Sequence, residues 1–287
     1  MRQSGIGAPQ IRNIDYREAH RVPVTDAPLI DICNATIYRG HTRVFHEFSL
    51  SIAQHEQVAI LGPNGCGKTT LLKTLNREIY PVVADRSWIR ILGRERWNVW
   101  DLRASIGIVS HELQMRYTKT NTGLHVVLSG FLSSIGIHGL VSTRIGDEHR
   151  NKALAVMGEL NIAELANKPL GEMSTGQQRR CLLARALVHD PDTLIFDEPT
   201  AGLDLAASFD LLARIRNLVA VGKSILLVTH QLNEIPPDIQ RVILLREGRV
   251  VADGAKEDVL TEENLFSTYG TPVRVTKVAG YFLASPG

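Results

Sequence analysis

Cysteine is scarce in this chain: Cys33, Cys66 and Cys181 are the only three, and none stands in Cys-x-x-Cys spacing. So small and odd a number excludes a disulfide framework and argues against a zinc site. A reducing, cytoplasmic compartment is expected. An excess of charge is also missing, with 32 basic against 30 acidic residues and a net charge of +2. No overall field draws the chain to nucleic acid or to an anionic membrane. Neither an internal repeat nor a sustained heptad pattern is present. Residues 120–143 carry no Asp, Glu, Lys or Arg, but Gly123, Gly130, Gly136, Gly139, four serines and two histidines dilute them below the hydropathy of a membrane span. Any crossing of a membrane falls to another subunit. Residues 1–28 include Arg2, Arg12, Asp15, Arg17, Glu18, Arg21 and Asp26 without an apolar stretch, and read as a flexible tail rather than a secretory signal.

What the chain does have is 44% hydrophobic residues, enough to bury one large core. It also has Gly62-Pro63-Asn64-Gly65-Cys66-Gly67-Lys68-Thr69-Thr70, entered from the apolar run Val58-Ala59-Ile60-Leu61. Glycines at this spacing let successive backbone N–H groups approach a phosphate, Lys68 adds a mobile positive charge, and Thr69 offers a hydroxyl to Mg2+. A helix opening at Lys68 points its positive end at the same anion. A thiol at such a position, Cys66, is expected to have a depressed pKa.

Short apolar runs recur at 106–109, 194–196 and 225–228, and helical patterns such as 181–188 lie between them. Runs this short and this apolar suit strands covered on both faces. The expected fold class is α/β, a P-loop NTPase core with a mostly parallel sheet. Alternating stretches at 29–55 and at 90–93 predict an antiparallel β patch, and 242–251 predicts a late hairpin. Residues 113–172 predict a helical lobe. Arg94, Arg96, Trp97, Trp100 and Arg103 read as a solvated edge of the antiparallel patch rather than a nucleic-acid platform.

The run Thr193-Leu194-Ile195-Phe196-Asp197-Glu198 ends a buried strand on two carboxylates. The first can hold Mg2+ and the second can polarise a water aimed at a γ-phosphate. Between the two sites lies Met173-Ser174-Thr175-Gly176-Gln177, a Ser/Gly helix start able to bind an anion.

With that segment in place, residues 29–282 resemble the nucleotide-binding subunits of ATP-binding cassette transporters. Met173 to Gln177 stand where the family has Leu-Ser-Gly-Gly-Gln. The resemblance implies that Ser174, Thr175, Gly176 and Gln177 contact the γ-phosphate of ATP held by a second subunit. It implies that Tyr38 stacks on adenine, that residues 62–70 bind the phosphates, and that Asp204 lies in a loop joining two active sites. It further implies Glu198 as general base, His230 and Lys68 as stabilisers of γ-phosphate charge, and Thr69 with Asp197 as Mg2+ ligands. The family usually has Gln where this chain has His111; either His111 or Gln114 is left as the further metal contact.

The resemblance thus implies ATP and Mg2+ as cofactors, and a single cassette over 29–270, with core 29–112 and 173–270 and a short extension at 271–287. One set of motifs implies a head-to-tail dimer, most simply a homodimer. A separate transmembrane permease is implied on the cytoplasmic face of a membrane, docked near 120–143. The alternatives are a soluble cassette acting on nucleic acid or ribosomes, and a binding-only regulatory cassette.

Overall fold

The computed structural model describes residues 27–136 and 145–287. Residues 1–26 of the expected tail, residues 137–143 of the uncharged stretch and Arg144 lie outside them. The strands are β1 (Ile30–Arg39), β2 (Thr42–Ile52), β3 (Gln57–Leu61), β4 (Trp88–Ile91), β5 (Ile106–Ser110), β6 (Thr193–Asp197), β7 (Ser224–Thr229), β8 (Arg241–Arg246), β9 (Arg249–Ala255), β10 (Val273–Val278) and β11 (Tyr281–Pro286). The helices are α1 (Lys68–Leu75), α2 (Val99–Ser105), α3 (His111–Met115), α4 (Gly123–Leu128), α5 (Asp147–Glu159), α6 (Thr175–Leu187), α7 (Leu205–Ala220), α8 (Lys256–Val259) and α9 (Glu262–Tyr269).

The central sheet runs β5-β6-β7-β3-β8-β9, parallel except for the β8–β9 hairpin. Its strands are apolar at consecutive positions because both faces are covered. Along β3, Val58 and Ile60 enter one core while Ala59 and Leu61 enter the other. The same alternation holds for Leu226 and Val228 against Ile225 and Leu227 in β7, and for Ile243 and Leu245 against Val242 and Leu244 in β8. This period of two on a doubly buried strand is the physical reason for the short unbroken runs.

The first core lies between the central sheet and the antiparallel sheet β2-β1-β4, and α1 contributes Leu71 and Leu75 to it. The second lies under the helices, where Cys181, Leu182, Leu183, Ala184 and Ala186 of α6 are buried. The hairpin β10–β11, which the sequence reading left as a plain extension, seats Phe282 in this second core.

The β8–β9 turn places Gly248 against the phosphate loop, with its N–H donating to the Cys66 carbonyl at 2.9 Å. Its φ is 71°, and a Cβ there would collide with the carbonyl of Val44 in β2. Positive φ and a backbone clash both select glycine. Gly248→Ala is therefore expected to lower stability by about 2–3 kcal/mol. Urea unfolding checks this, and a loss within about 0.5 kcal/mol would contradict the close contact.

Candidate active site

Register brings the site together. Leu61 pairs with Thr229, Val228 with Asp197, and Asp197 with Ser110, so the carboxyl ends of β3, β7, β6 and β5 form one edge. Crevices outside such edges are where open α/β sheets bind ligands. The phosphate loop leaves this edge after Leu61, His230 after Thr229, Glu198 after Asp197, and His111 after Ser110.

In the loop, the Lys68 ammonium donates to the carbonyls of Gly62 at 2.6 Å and Pro63 at 3.0 Å. The charge is thus held inside the loop and almost fully buried. Gly67 has φ 117°, and a Cβ there would stand 2.7 Å from the Phe45 ring of β2. The antiparallel sheet therefore clamps the loop from below. Ile37 pairs with Phe45, and the next residue, Tyr38, is 43% exposed, so its ring is accessible beside this clamp.

Burial and then the neighbouring Glu198 push the Asp197 carboxyl up to about 6, with Lys68 opposing. Glu198 itself sits at φ 45°, in the left-handed region where a non-glycine residue is strained. Its N–H donates to the Val228 carbonyl at 2.8 Å, and its Oε1 lies 3.1 Å from Nδ1 of His230. Facing a carboxylate that accepts, Nδ1 would be the donor of this pair. The hydroxyl of Tyr269 in α9 donates to the His230 carbonyl at 3.2 Å and ties the C-terminal part of the chain to this residue.

The helix start at Ser174 is built by a capping box. Ser174 Oγ accepts from Gln177 N–H at 3.2 Å, and Gln177 Oε1 accepts from Ser174 N–H at 3.1 Å. Gln177 Oε1 also receives Lys168 Nζ at 3.4 Å, so its amide serves the cap. Gly176 has a packing reason of its own: a Cβ there would lie 2.9 Å from Ala207 in α7. Asp204 caps α7 by accepting from Ala207 N–H at 2.8 Å.

Gln114 and His111 behave differently from one another. His111 opens α3, half-buried next to the edge. Gln114 is buried, with Oε1 accepting from Nε of Arg179 at 2.9 Å and Nε2 donating to Gln178 Oε1 at 2.8 Å. Its amide is committed to α6. A cleft of about 300 Å3 runs from Thr69 and Asp197 between Lys73, Arg103, Glu112 and Arg185.

The family profile described as ABC transporter matches residues 45–201, more than half of the chain. The chain is an ABC transporter ATPase. It is 32% identical to the uncharacterized ABC transporter ATP-binding protein YlmA of Bacillus subtilis, over 86% of this chain and 93% of that one. It is 34% identical to the cobalt import ATP-binding protein CbiO of Rhodobacter capsulatus, over 78% of each. A structure of a metal-chelate type ABC transporter in an inward-facing conformation superposes with a TM-score of 0.70 at 23% identity, covering 90% of this chain and 96% of that one. That likeness confirms the ABC ATPase fold.

Three features of this ABC ATPase escaped the sequence reading or depart from it. Cys66 does not have a depressed pKa: burial, the largest effect, raises it and outweighs the nearby Lys68. The thiol is 3% exposed because β2 and the Gly248 turn close over the loop, and helix position alone did not reveal this. The second feature is Arg179, the largest fully buried side chain among the described residues. Its one sequence signal is that it shares the stripe 179, 182, 183, 186 with apolar residues of α6. The third is Glu234, 2% exposed, which accepts from the hydroxyls of Thr200 and Thr229 and so ties the segment after Glu198 to the end of β7. Part of the aromatic and basic cluster is internally engaged: Trp97 donates to the Ile91 carbonyl, Arg94 lies over Trp97, and Arg103 reaches Asn76 and the Ser133 carbonyl, while Arg96 and Trp100 are exposed.

Asp197 makes the nucleotide-free protein less stable at neutral pH. Its folded pKa of about 6 exceeds the ordinary 3.8, so the favourable contribution is complete below about 3.8 and is lost as pH rises through about 6. Asp197→Asn should therefore raise stability at pH 7 by about 1–2 kcal/mol, with the gap to wild type closing near pH 4. Thermal unfolding across this range measures it, and an Asn variant less stable than wild type at pH 7 would overturn the assignment.

Proposed function

We propose that this ATPase powers transport through a separate membrane subunit, working as a head-to-tail homodimer on the cytoplasmic face of the membrane. The observation that carries the reading is the shared strand edge, which sets residues 62–70, Asp197, Glu198 and His230 beside one another with Glu198 and His230 in contact at 3.1 Å. ATP phosphates fit the loop, where the Lys68 ammonium turns from the Gly62 and Pro63 carbonyls to the anion. Glu198 accepts the proton of a water attacking the γ-phosphorus while the bond to the ADP oxygen breaks. His230 orients that water through its bond to Glu198, and Tyr38 supports the base.

A hard cation fits the donor set. The Thr69 hydroxyl and the Asp197 carboxylate line one cleft, and the raised Asp197 pKa marks a negative charge short of compensation. Thr69 and Asp197 would hold Mg2+, which supplies neutralisation of phosphate charge. Gln114 is spoken for by Arg179, which leaves His111 the better placed of the two further candidates, although imidazole is a poor ligand for this ion.

Ser174, Thr175 and Gly176 are assigned to the γ-phosphate of the partner copy's nucleotide. Support for this comes from the capped helix start with its exposed Ser174 hydroxyl and from the position of Asp204 beside it. The cleft between Arg103, Arg185 and Glu112, lined also by Gly130, Ser133 and Ile135 of the uncharged stretch, is the docking place for a helix of the membrane subunit. No helix among the described residues is long and apolar enough to cross a membrane. The balanced charge, and the Trp97 indole spent on the Ile91 carbonyl, favour this reading over a nucleic-acid partner.

Glu198→Gln is expected to lower the ATPase rate by about 10²–10⁴-fold with ATP affinity within about threefold of wild type. A variant that keeps more than about a tenth of the rate removes Glu198 from the role of base. The dimer is tested by mixing Lys68→Ala with Ser174→Arg, each inactive alone. Random pairing leaves one intact site in half the dimers, so about a quarter of wild-type activity should return. Absence of any recovery counts against a shared site.

A further inference from the structure

We infer that Arg179 is a positioning residue that holds the backbone turn carrying Glu198, and that it couples this turn to both the Ser174 helix start and the His111–Met115 helix. The inference rests on the proposed role of Glu198 only for its effect on rate; the hold itself is read from contacts.

Arg179 lies one turn into α6 and is 1% exposed. A guanidinium presents a rigid fork of donors, and here Nε reaches the helix after β5 while both Nη groups reach one turn after β6. Nε donates to Gln114 Oε1 at 2.9 Å, Nη1 to the Glu198 carbonyl at 3.4 Å, and Nη2 to the Ala201 carbonyl at 3.2 Å. The last two contacts straddle the strained turn in which Glu198 has φ 45° and Ala201 N–H donates to the Glu198 carbonyl at 3.1 Å. A left-handed non-glycine residue persists only where its surroundings over-determine it. Arg179 is the side chain that meets both ends of that turn.

The same fork is anchored upstream. Gln114 passes the network to Gln178, whose Nε2 donates to the carbonyls of Leu170 at 2.8 Å and Met173 at 3.2 Å, directly before Ser174. Charge supports the arrangement. Burial pushes Arg179 down to about 10, still cationic at neutral pH, and the buried Glu234 and Asp197 are the carboxylates that oppose the shift. Glu234 accepts from the Thr200 hydroxyl, so residues 198–201 are held by an anion as well as by a cation. The family pattern has Gln at the place of His111; in this chain the Gln sits three residues later and is turned onto Arg179. A displacement of α3 or of the Ser174 end of α6 therefore reaches Glu198 through one side chain.

The test uses Arg179→Met, which keeps the length and removes the fork, together with Gln114→Met. Amide hydrogen exchange is read in peptides covering 198–204 and 62–70, alongside steady-state ATPase kinetics. Exchange in 198–204 is expected to rise at least about tenfold in Arg179→Met, and less in Gln114→Met, with 62–70 within about twofold of wild type. The kcat should fall at least about tenfold with KM within about threefold. Where Arg179→Met does not fold, Arg179→Lys, which keeps the charge but reaches fewer acceptors, carries the same comparison. Exchange that rises evenly over the whole chain, or stays unchanged in 198–204, overturns the inference. Faster exchange in 198–204 with an unchanged kcat supports the hold by Arg179 and instead removes Glu198 from its proposed role.

Discussion

Two buried cations, Lys68 and Arg179, make it possible for three carboxylates, Asp197, Glu198 and Glu234, to share the carboxyl edge of one parallel sheet. Like charges in a low-dielectric crevice repel, and removing water from each is costly. The cations are not free to wander: Lys68 is pinned by loop carbonyls, and Arg179 by Gln114 and the backbone of 198–201. The edge is consequently rigid in its backbone and unbalanced in its charge. In the proposed function such a site would gain by receiving a cation and a nucleotide together, because each compensates what the protein alone leaves strained.

That strain is local, and the two cores offset it. The left-handed Glu198 and the raised Asp197 each disfavour the folded state by an amount on the order of 1–2 kcal/mol. Strands β3, β6, β7 and β8, buried on both faces, contribute far more, since each fully buried Leu, Ile or Val is worth about 1.5–3 kcal/mol. The phosphate loop borrows rigidity from both sides of its first core. Phe45 lies against Gly67, and Gly248 binds the Cys66 carbonyl. The antiparallel sheet and the β8–β9 hairpin thus brace the loop proposed to hold the nucleotide.

The parts of this molecule legible in its sequence are those written locally. Strand runs such as Val58 to Leu61 announce burial on both faces, and glycine spacing before Lys68 announces the loop. Contacts between distant segments were not legible. Arg179 and Gln114 are 65 positions apart, and they meet because α6 packs against β5 and the α3 helix that follows it. Cys66 was misjudged for the same reason: a helix start lowers a thiol pKa, but the burial that raises it comes from β2 and the Gly248 turn. Likewise, Phe282 carries no local sign that the last hairpin enters the core. Its turn, Ala279-Gly280, is the one clue the residues held.

The helix start at Ser174 is built to move as a piece. Its hydroxyl and the Gln177 amide cap each other, Gly176 packs on Ala207, and Asp204 caps the same helix that Ala207 belongs to. Side chains that satisfy each other leave little slack, so an anion drawn to the Ser174 hydroxyl loads α6 and the 198–204 segment at once. Within the proposed head-to-tail dimer, that anion belongs to the partner's nucleotide. The chain then feels its partner's phosphate on the element that, through Arg179, grips its own Glu198. In that proposed dimer the phosphate loop and the helix start are two halves of different sites, and the stiffness between them would let one site report on the other.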